Sequence, residues 1–247
     1  MSVTTTSVTA TRPTFLLVPG AWHRPTCWAA LQEALTADGR HSRTVALRSA
    51  GPQSTPTAGM YDDAEEIAAH LRRIEGPVVV VAHSYGGLPA TQAVTGDSNV
   101  THLVYLAAYM PMEGESLGAV HGQDGPAPGD EDVERTCPAV FDDPRTALYA
   151  DLPEDRATHA LGQLVEQSLR SFQQRVTRAA WRTVPSTYVL CERDQALPPA
   201  LQEKMAARAT HVERLATGHS PFLAAPAELA TLLGKIASSA SRAATAS

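Results

Sequence analysis

The sequence predicts an α/β protein: a six-stranded, mainly parallel sheet flanked by helices, with a helical cap inserted after the fourth strand. Short apolar runs alternate with amphipathic stretches along most of the chain, the pattern of a parallel sheet covered on both faces. One run, Val78-Val79-Val80-Val81, is wholly β-branched and apolar, as a strand buried on both sides must be. The interval from Met110 to Val184 is too long for a single crossover in a compact domain, so something is inserted there.

The elements follow in order. Thr14 to Val18 is the first strand, stopped by Pro19-Gly20. Thr26 is placed to cap a helix that carries Trp28, Leu31 and Leu35 on one face and ends at Gly39. Thr44 to Leu47 is the second strand, and Arg48 to Met60, rich in Ser, Thr, Pro and Gly, reads as a loop. Asp62 and Glu65 form a capping box for a helix with Ile67, Leu71 and Ile74, ended by Gly76-Pro77. The third strand starts at Val78; His102 to Ala108, Ser186 to Cys191 and His211 to Leu215 are the fourth, fifth and sixth. The core is therefore 14–109 with 185–237, and the cap is 110–184. Inside the cap, an acidic Gly/Pro-rich portion over 123–135 precedes a helix from Glu154 to about Val176, with Leu161, Leu164, Val165, Leu169 and Phe172 as its apolar stripe. The polar ends, 1–13 and 238–247, read as disordered tails.

Composition narrows the function. The 247 residues are 43% hydrophobic, enough for one large core, with no membrane-length apolar run. A net charge of −6 gives no footprint for nucleic acid or an anionic membrane surface. Three widely spaced cysteines without a C-x-x-C pair fit neither a disulfide framework nor a zinc site. With no apolar signal at the N-terminus, a cytoplasmic location is expected. No Walker or Rossmann glycine pattern follows a strand, so neither a nucleotide cofactor nor a metal is expected; a homodimer is left open.

The chemistry concentrates where Val78-Val79-Val80-Val81-Ala82 runs into His83-Ser84-Tyr85-Gly86-Gly87. A strand, a sharp turn and a helix, with small residues two positions either side of a serine, make a nucleophile elbow. The helix tolerates Pro89 because its first-turn N–H groups have no internal partner. A serine hydroxyl is a weak nucleophile until a base takes its proton and a third group orients that base. Asp194 lies just past the fifth strand and His219 just past the sixth, at the same rim as Ser84, with Glu192 as the rival acid. An oxyanion hole is expected from the backbone N–H groups of Tyr85 and Ala21. Trp22, Tyr109, Met110, Trp181, Leu197 and Phe222 are the apolar residues near that rim and candidates to line the substrate pocket. His23, His83, His121 and His159 read as structural or exposed.

The stretch Phe15 to His23, the elbow His83 to Gly87, and Cys191 to Pro199 resemble small bacterial α/β-hydrolases related to the plant methyl esterase and hydroxynitrile lyase group. The resemblance covers nearly the whole chain and implies an α/β-hydrolase fold with a Ser84–Asp194–His219 triad. Lyase members of the group use a threonine in the oxyanion loop and a lysine immediately after the histidine; here those positions hold Gly20 and Ser220. The expected activity is hydrolysis of a small or medium apolar carboxylic ester or lactone through an acyl-enzyme on Ser84. The competing readings are a lyase, a cofactor-free oxygenase or a biosynthetic cyclase on the same scaffold, or a small-molecule binding protein.

Overall fold

The computed structural model describes residues 12–51, 57–123 and 125–246. In chain order its strands are β1 (Thr14–Val18), β2 (Ser42–Thr44), β3 (Val78–His83), β4 (Val100–Leu106), β5 (Thr136–Cys137), β6 (Gln167–Ser168), β7 (Ser186–Cys191) and β8 (His211–Leu215). Six of them form one sheet in the order β2-β1-β3-β4-β7-β8, every neighbouring pair parallel. The short β5–β6 pair stands apart and is antiparallel. The helices are α1 (Ala29–Ala37), α2 (Met60–Arg72), α3 (Gly87–Ala93), α4 (Leu117–Val120), α5 (Pro144–Tyr149), α6 (Glu154–Leu161), α7 (Arg170–Gln173), α8 (Pro199–Ala206), α9 (Pro221–Ala224) and α10 (Pro226–Ala246).

Side-chain alternation divides the sheet into two cores. Leu16, Val80, Leu103, Tyr105, Tyr188 and Leu190 face one side, where Ile67 and Leu71 of α2, Leu88 of α3 and Met205 of α8 pack against them. Phe15, Leu17, Val79, Val81, Val104 and Val189 face the other, against Leu31 and Leu35 of α1 and Leu229 and Leu233 of α10. With both faces covered, β3 is buried along its whole length, which its unbroken valine run requires. Strand order reverses at β1, whose two neighbours β2 and β3 lead to opposite edges. In open α/β sheets the crevice at such a reversal, beyond the carboxyl ends of the strands, is where ligands bind. The loop after β1 and the turn after β3 both open there.

Several expectations are corrected. The second strand starts at Ser42 instead of Thr44: the Phe15 N–H reaches the His41 carbonyl and the Val45 N–H reaches the Leu17 carbonyl, so the ladder is already ending where the apolar run begins. Ala107, with φ of +42°, ends β4 before Ala108. Thr26 caps nothing; it lies inside a 3₁₀ turn, Pro25–Trp28, that leads into α1. Asp62 accepts the Gly59 N–H, as a capping acid at the third helical position does, whereas Glu65 pairs with Arg72. The C-terminal segment expected as a tail from Ser238 continues α10 to Ala246, an alanine-rich stretch of high helix propensity. The N-terminal tail lies, through residue 11, outside the described residues.

The helix expected from Glu154 to Val176 is three pieces: α6 ends at Leu161, β6 follows, and α7 is a single turn. Backbone groups that an unbroken helix would pair internally are drawn away. The Val165 N–H bonds the Trp22 carbonyl, the Ser168 N–H bonds the Ser49 carbonyl, and the Leu169 N–H bonds the Arg135 carbonyl. Tertiary hydrogen bonding overrides the periodicity there, and ties the segment between β4 and β7 to the loops beyond β1 and β2.

α3 approaches the sheet so closely that a Cβ at Gly86 would stand 2.5 Å from the Pro19 carbonyl oxygen, and one at Gly87 would overlap the Tyr109 carbonyl oxygen. These obstacles are backbone atoms that side-chain rotation does not move. Gly87→Ala is therefore expected to lower unfolding free energy by about 3 kcal/mol or to prevent folding. Gly96→Ala, where nothing lies within 4 Å of the added carbon, should stay within about 0.5 kcal/mol of the parent protein. Urea unfolding of the two variants checks the contrast, and equal costs would contradict it.

Candidate active site

The turn after β3 holds Ser84 in the left-handed region, at φ of +50°. A non-glycine residue there costs on the order of 1 to 2 kcal/mol. The surroundings hold it in place: the Ser84 carbonyl accepts the Tyr109 N–H at 3.0 Å, and the 3₁₀ turn Ser84–Gly86 feeds directly into α3. A Cβ at Gly20 would lie 2.8 Å from His83 Nδ1 and 2.9 Å from the Ser84 Cβ, so the loop after β1 presses against the elbow through glycine.

Asp194 and His219 meet where β7 and β8 end. The His219 Nδ1–H donates to Asp194 Oδ2 at 2.7 Å, and both side chains are buried. Asp194 Oδ1 accepts the N–H groups of Ala196 and Leu197, each at 2.8 Å, and Oδ2 also accepts from Gln202 Nε2 at 3.0 Å. Four donors fix the carboxylate, while Glu192, the rival acid, is exposed. With Nδ1–H committed to Asp194, Nε2 of His219 is left as the basic nitrogen. Ser84 and His219 line the same cavity, and their side chains are not hydrogen-bonded to one another. Ala21 and Tyr85 line that cavity as well. Their backbone N–H groups donate to no other described residue.

That cavity has a volume of about 470 Å³ and mostly apolar walls. Of the pocket residues expected from the sequence, Trp22, Tyr109 and Leu197 line it. Met110, Trp181 and Phe222 do not. Met110 is fully buried against Met205, Trp181 turns its indole N–H to the Pro111 carbonyl, and Phe222 lies behind the site against His83 and Trp28. Their places are taken by Leu117, Phe141, Leu169 and Phe172 from the segment between β4 and β7. Leu169 and Phe172 belong to the stripe seen in the sequence, but nothing in a helical pattern tells which side of a broken helix meets the cavity.

Of the histidines read as structural or exposed, His121 alone lines the cavity. His83 is buried, its Nε2 bonds the His219 carbonyl at 2.8 Å, and its ring lies 4.6 Å from the His219 ring. His23 is buried between the Ala21 carbonyl at 2.7 Å and the Tyr149 hydroxyl at 2.8 Å. His121 lines the cavity and bonds the Tyr109 hydroxyl at 2.6 Å, one polar spot on an apolar wall. His159 opens onto a separate surface pocket beside α6.

Comparison with known proteins identifies the family. The profile of the alpha/beta hydrolase family matches residues 15–232. The chain belongs to the alpha/beta hydrolase family. It is 32% identical to "Probable hydrolase R7" of Phoma sp. (strain ATCC 20986 / MF5453), over 92% of this chain and 99% of that protein. It is 25% identical to "Esterase PIR7B" of Oryza sativa subsp. japonica, over 90% and 95%. Among solved structures, a pyrethroid hydrolase from Sphingobium faniae JZ-2 superposes with a TM-score of 0.78 at 24% identity, covering 92% of this chain and 98% of that one, a likeness of fold. Among the described residues of this hydrolase no helix is long and apolar enough to cross a membrane, and no three His, Cys, Asp or Glu side chains converge as metal ligands would.

Burial holds several histidines neutral. Desolvation lowers the pKa of His23 to about 4, with the neighbouring His219 adding to the shift, and lowers His102 to about 4 as well. His83 is pushed well down by burial and by His219 and His23. A base whose folded pKa lies below its unfolded value of about 6.5 contributes full stability above that pH and loses it as pH falls through the folded pKa. Asp63, raised to about 6 by burial, acts in the opposite sense, its contribution being complete below about 3.8 and lost as pH rises through about 6. Three histidines outweigh one aspartate, so the melting temperature should fall by several degrees from pH 7 to pH 5, and His102→Gln should flatten the slope. Thermal unfolding at the two pH values checks this; a higher melting temperature at pH 5 would contradict it.

Proposed function

We propose that the protein is a serine hydrolase that cleaves a small or medium apolar carboxylic ester, or a lactone, through an acyl-enzyme on Ser84. The observation that carries this reading is the buried Asp194–His219 pair, whose histidine lines the same cavity as the strained Ser84. The relatives named hydrolase and esterase support it.

In this reading Ser84 Oγ attacks the ester carbonyl while His219 Nε2 takes its proton. Asp194 keeps Nδ1 protonated and stabilises the imidazolium that forms. The carbonyl oxygen, now an oxyanion, accepts hydrogen bonds from the N–H groups of Ala21 and Tyr85. His219 returns the proton to the departing alkoxide, the alcohol leaves, and water activated by the same histidine releases the acid and regenerates Ser84. The apolar walls suit an apolar acyl or alcohol group, and the segment 110–184 acts as the cap that closes over it. The lyase alternative lacks its machinery here. Gly20 has no room for a threonine side chain against His83 and Ser84, and Ser220, in the position of the lysine, carries no charge and is wholly buried.

Ser84→Ala should lower kcat/KM for p-nitrophenyl esters by about 10⁴-fold or more while leaving the melting temperature within a few degrees. Retained turnover in the folded variant would contradict the assignment. A p-nitrophenyl ester series of increasing acyl length should show a clear optimum, set by the cavity walls, and a flat profile would contradict an acyl pocket.

A further inference from the structure

A buried polar chain runs behind the elbow and is used by none of the steps above. Gln167, fully buried in β6, accepts the Trp22 N–H at 3.1 Å through Oε1 and donates through Nε2 to the hydroxyls of Ser49 and of Ser171, the latter at 2.9 Å. Both hydroxyls must accept from it, because Ser49 gives its proton to Asp63 and Ser171 gives its proton to the Ser168 carbonyl. The amide therefore has one possible orientation, with oxygen toward Trp22. Asp63, also fully buried, accepts the Ser49 N–H at 2.9 Å, the Ser49 hydroxyl, and the Tyr85 hydroxyl at 2.7 Å. No cation pairs with it among the described residues.

The two ends of this chain fall on or beside the residues that carry the oxyanion donors. Tyr85 is one of them, and Trp22 directly follows the other, Ala21. Trp22 sits in the left-handed region at φ of +62°, a strained place for a bulky residue. Its carbonyl accepts the Val165 N–H at 2.9 Å and its indole N–H donates to the Cys137 carbonyl at 3.2 Å. The peptide unit joining Ala21 to Trp22 is pinned on both sides: its N–H by Gln167, its C=O by His23. A buried carboxylate and a buried amide cost free energy that apolar side chains of the same volume would not, so stability alone does not account for them.

We propose that the chain Trp22–Gln167–Ser49–Asp63–Tyr85 aligns the two oxyanion N–H groups, making Gln167 and Asp63 positioning residues for the reaction. The proposal rests on the serine-hydrolase reading. It also gives the segment between β4 and β7 a role beyond lining the cavity, since Gln167 comes from that segment and reaches the loop after β1.

The test uses the full-length protein with Gln167→Met, Asp63→Asn and Tyr85→Phe, each checked for folding by its melting temperature. The readouts are kcat and KM on the p-nitrophenyl ester the parent turns over best, and the inhibition constant of a trifluoromethyl ketone carrying the same acyl group, which forms a tetrahedral oxyanion adduct. Gln167→Met should lower kcat about 10- to 100-fold with KM changed less than about threefold, and should weaken the ketone in proportion to kcat/KM. Tyr85→Phe, which removes one hydroxyl and keeps the ring, should act in the same sense, and combined with Gln167→Met its effect should be less than multiplicative. An unchanged kcat in folded Gln167→Met, a loss confined to KM, or fully multiplicative effects would overturn the proposal. Should the parent protein cleave no ester, the serine-hydrolase reading fails separately. The positioning claim is then read from the NMR amide resonances of Ala21 and Tyr85, which Gln167→Met shifts if the claim holds and leaves unchanged if it does not.

Discussion

The rest of the structure depends on how closely α3 and the loop after β1 approach the end of β3. A serine in the left-handed region is unstable by itself; it persists because Gly20, Gly86 and Gly87 let backbone carbonyls and the His83 ring reach within contact distance, and because the Tyr109 N–H holds the Ser84 carbonyl. That contact lies at the sheet's order reversal, so the same packing that strains Ser84 brings Ala21 and Tyr85 to one cavity. Parallel register then carries β7 and β8 to the same rim, where Asp194 and His219 meet.

Electrostatically the site is built from neutral and hydrogen-bonded groups. His23 and His83 flank His219 but are held uncharged by burial, so they position backbone carbonyls without adding positive charge beside the base. Tyr85 is raised far above the usual phenol range by burial and by Asp63, and stays a donor. Charge around the proposed reaction is thus limited to Asp194, to Asp63 behind Tyr85, to His219 as it takes the proton, and to the oxyanion as it forms, where fixed dipoles act most strongly.

Much of this was legible in the sequence because it is local. β7 and β8 coincide with the expected Ser186–Cys191 and His211–Leu215, whose bounds are marked by turn residues, and the valine run of β3 points to one fold class. The spacing from Ser84 to Asp194 to His219 carried the candidate triad for the same reason: each residue lies within a few positions of a strand's carboxyl end. What failed was non-local. The 154–176 stripe was periodic enough for one helix, yet Val165, Ser168 and Leu169 give their N–H groups to distant loops. Met110, Trp181 and Phe222 sit next to rim positions in sequence, but which way each turns depends on neighbours from other elements. Gln167 carried no signal at all, since a buried glutamine looks like an exposed one until Ser49 and Trp22 are placed beside it.

The central claim is that the elbow serine is an activated nucleophile. Treatment of the native protein with a fluorophosphonate, followed by intact-mass measurement and peptide mapping, tests it most directly. The account predicts one adduct per chain, on Ser84, that disappears when the protein is unfolded before labelling. Folded protein that takes no label, or takes it at another residue, would contradict the account.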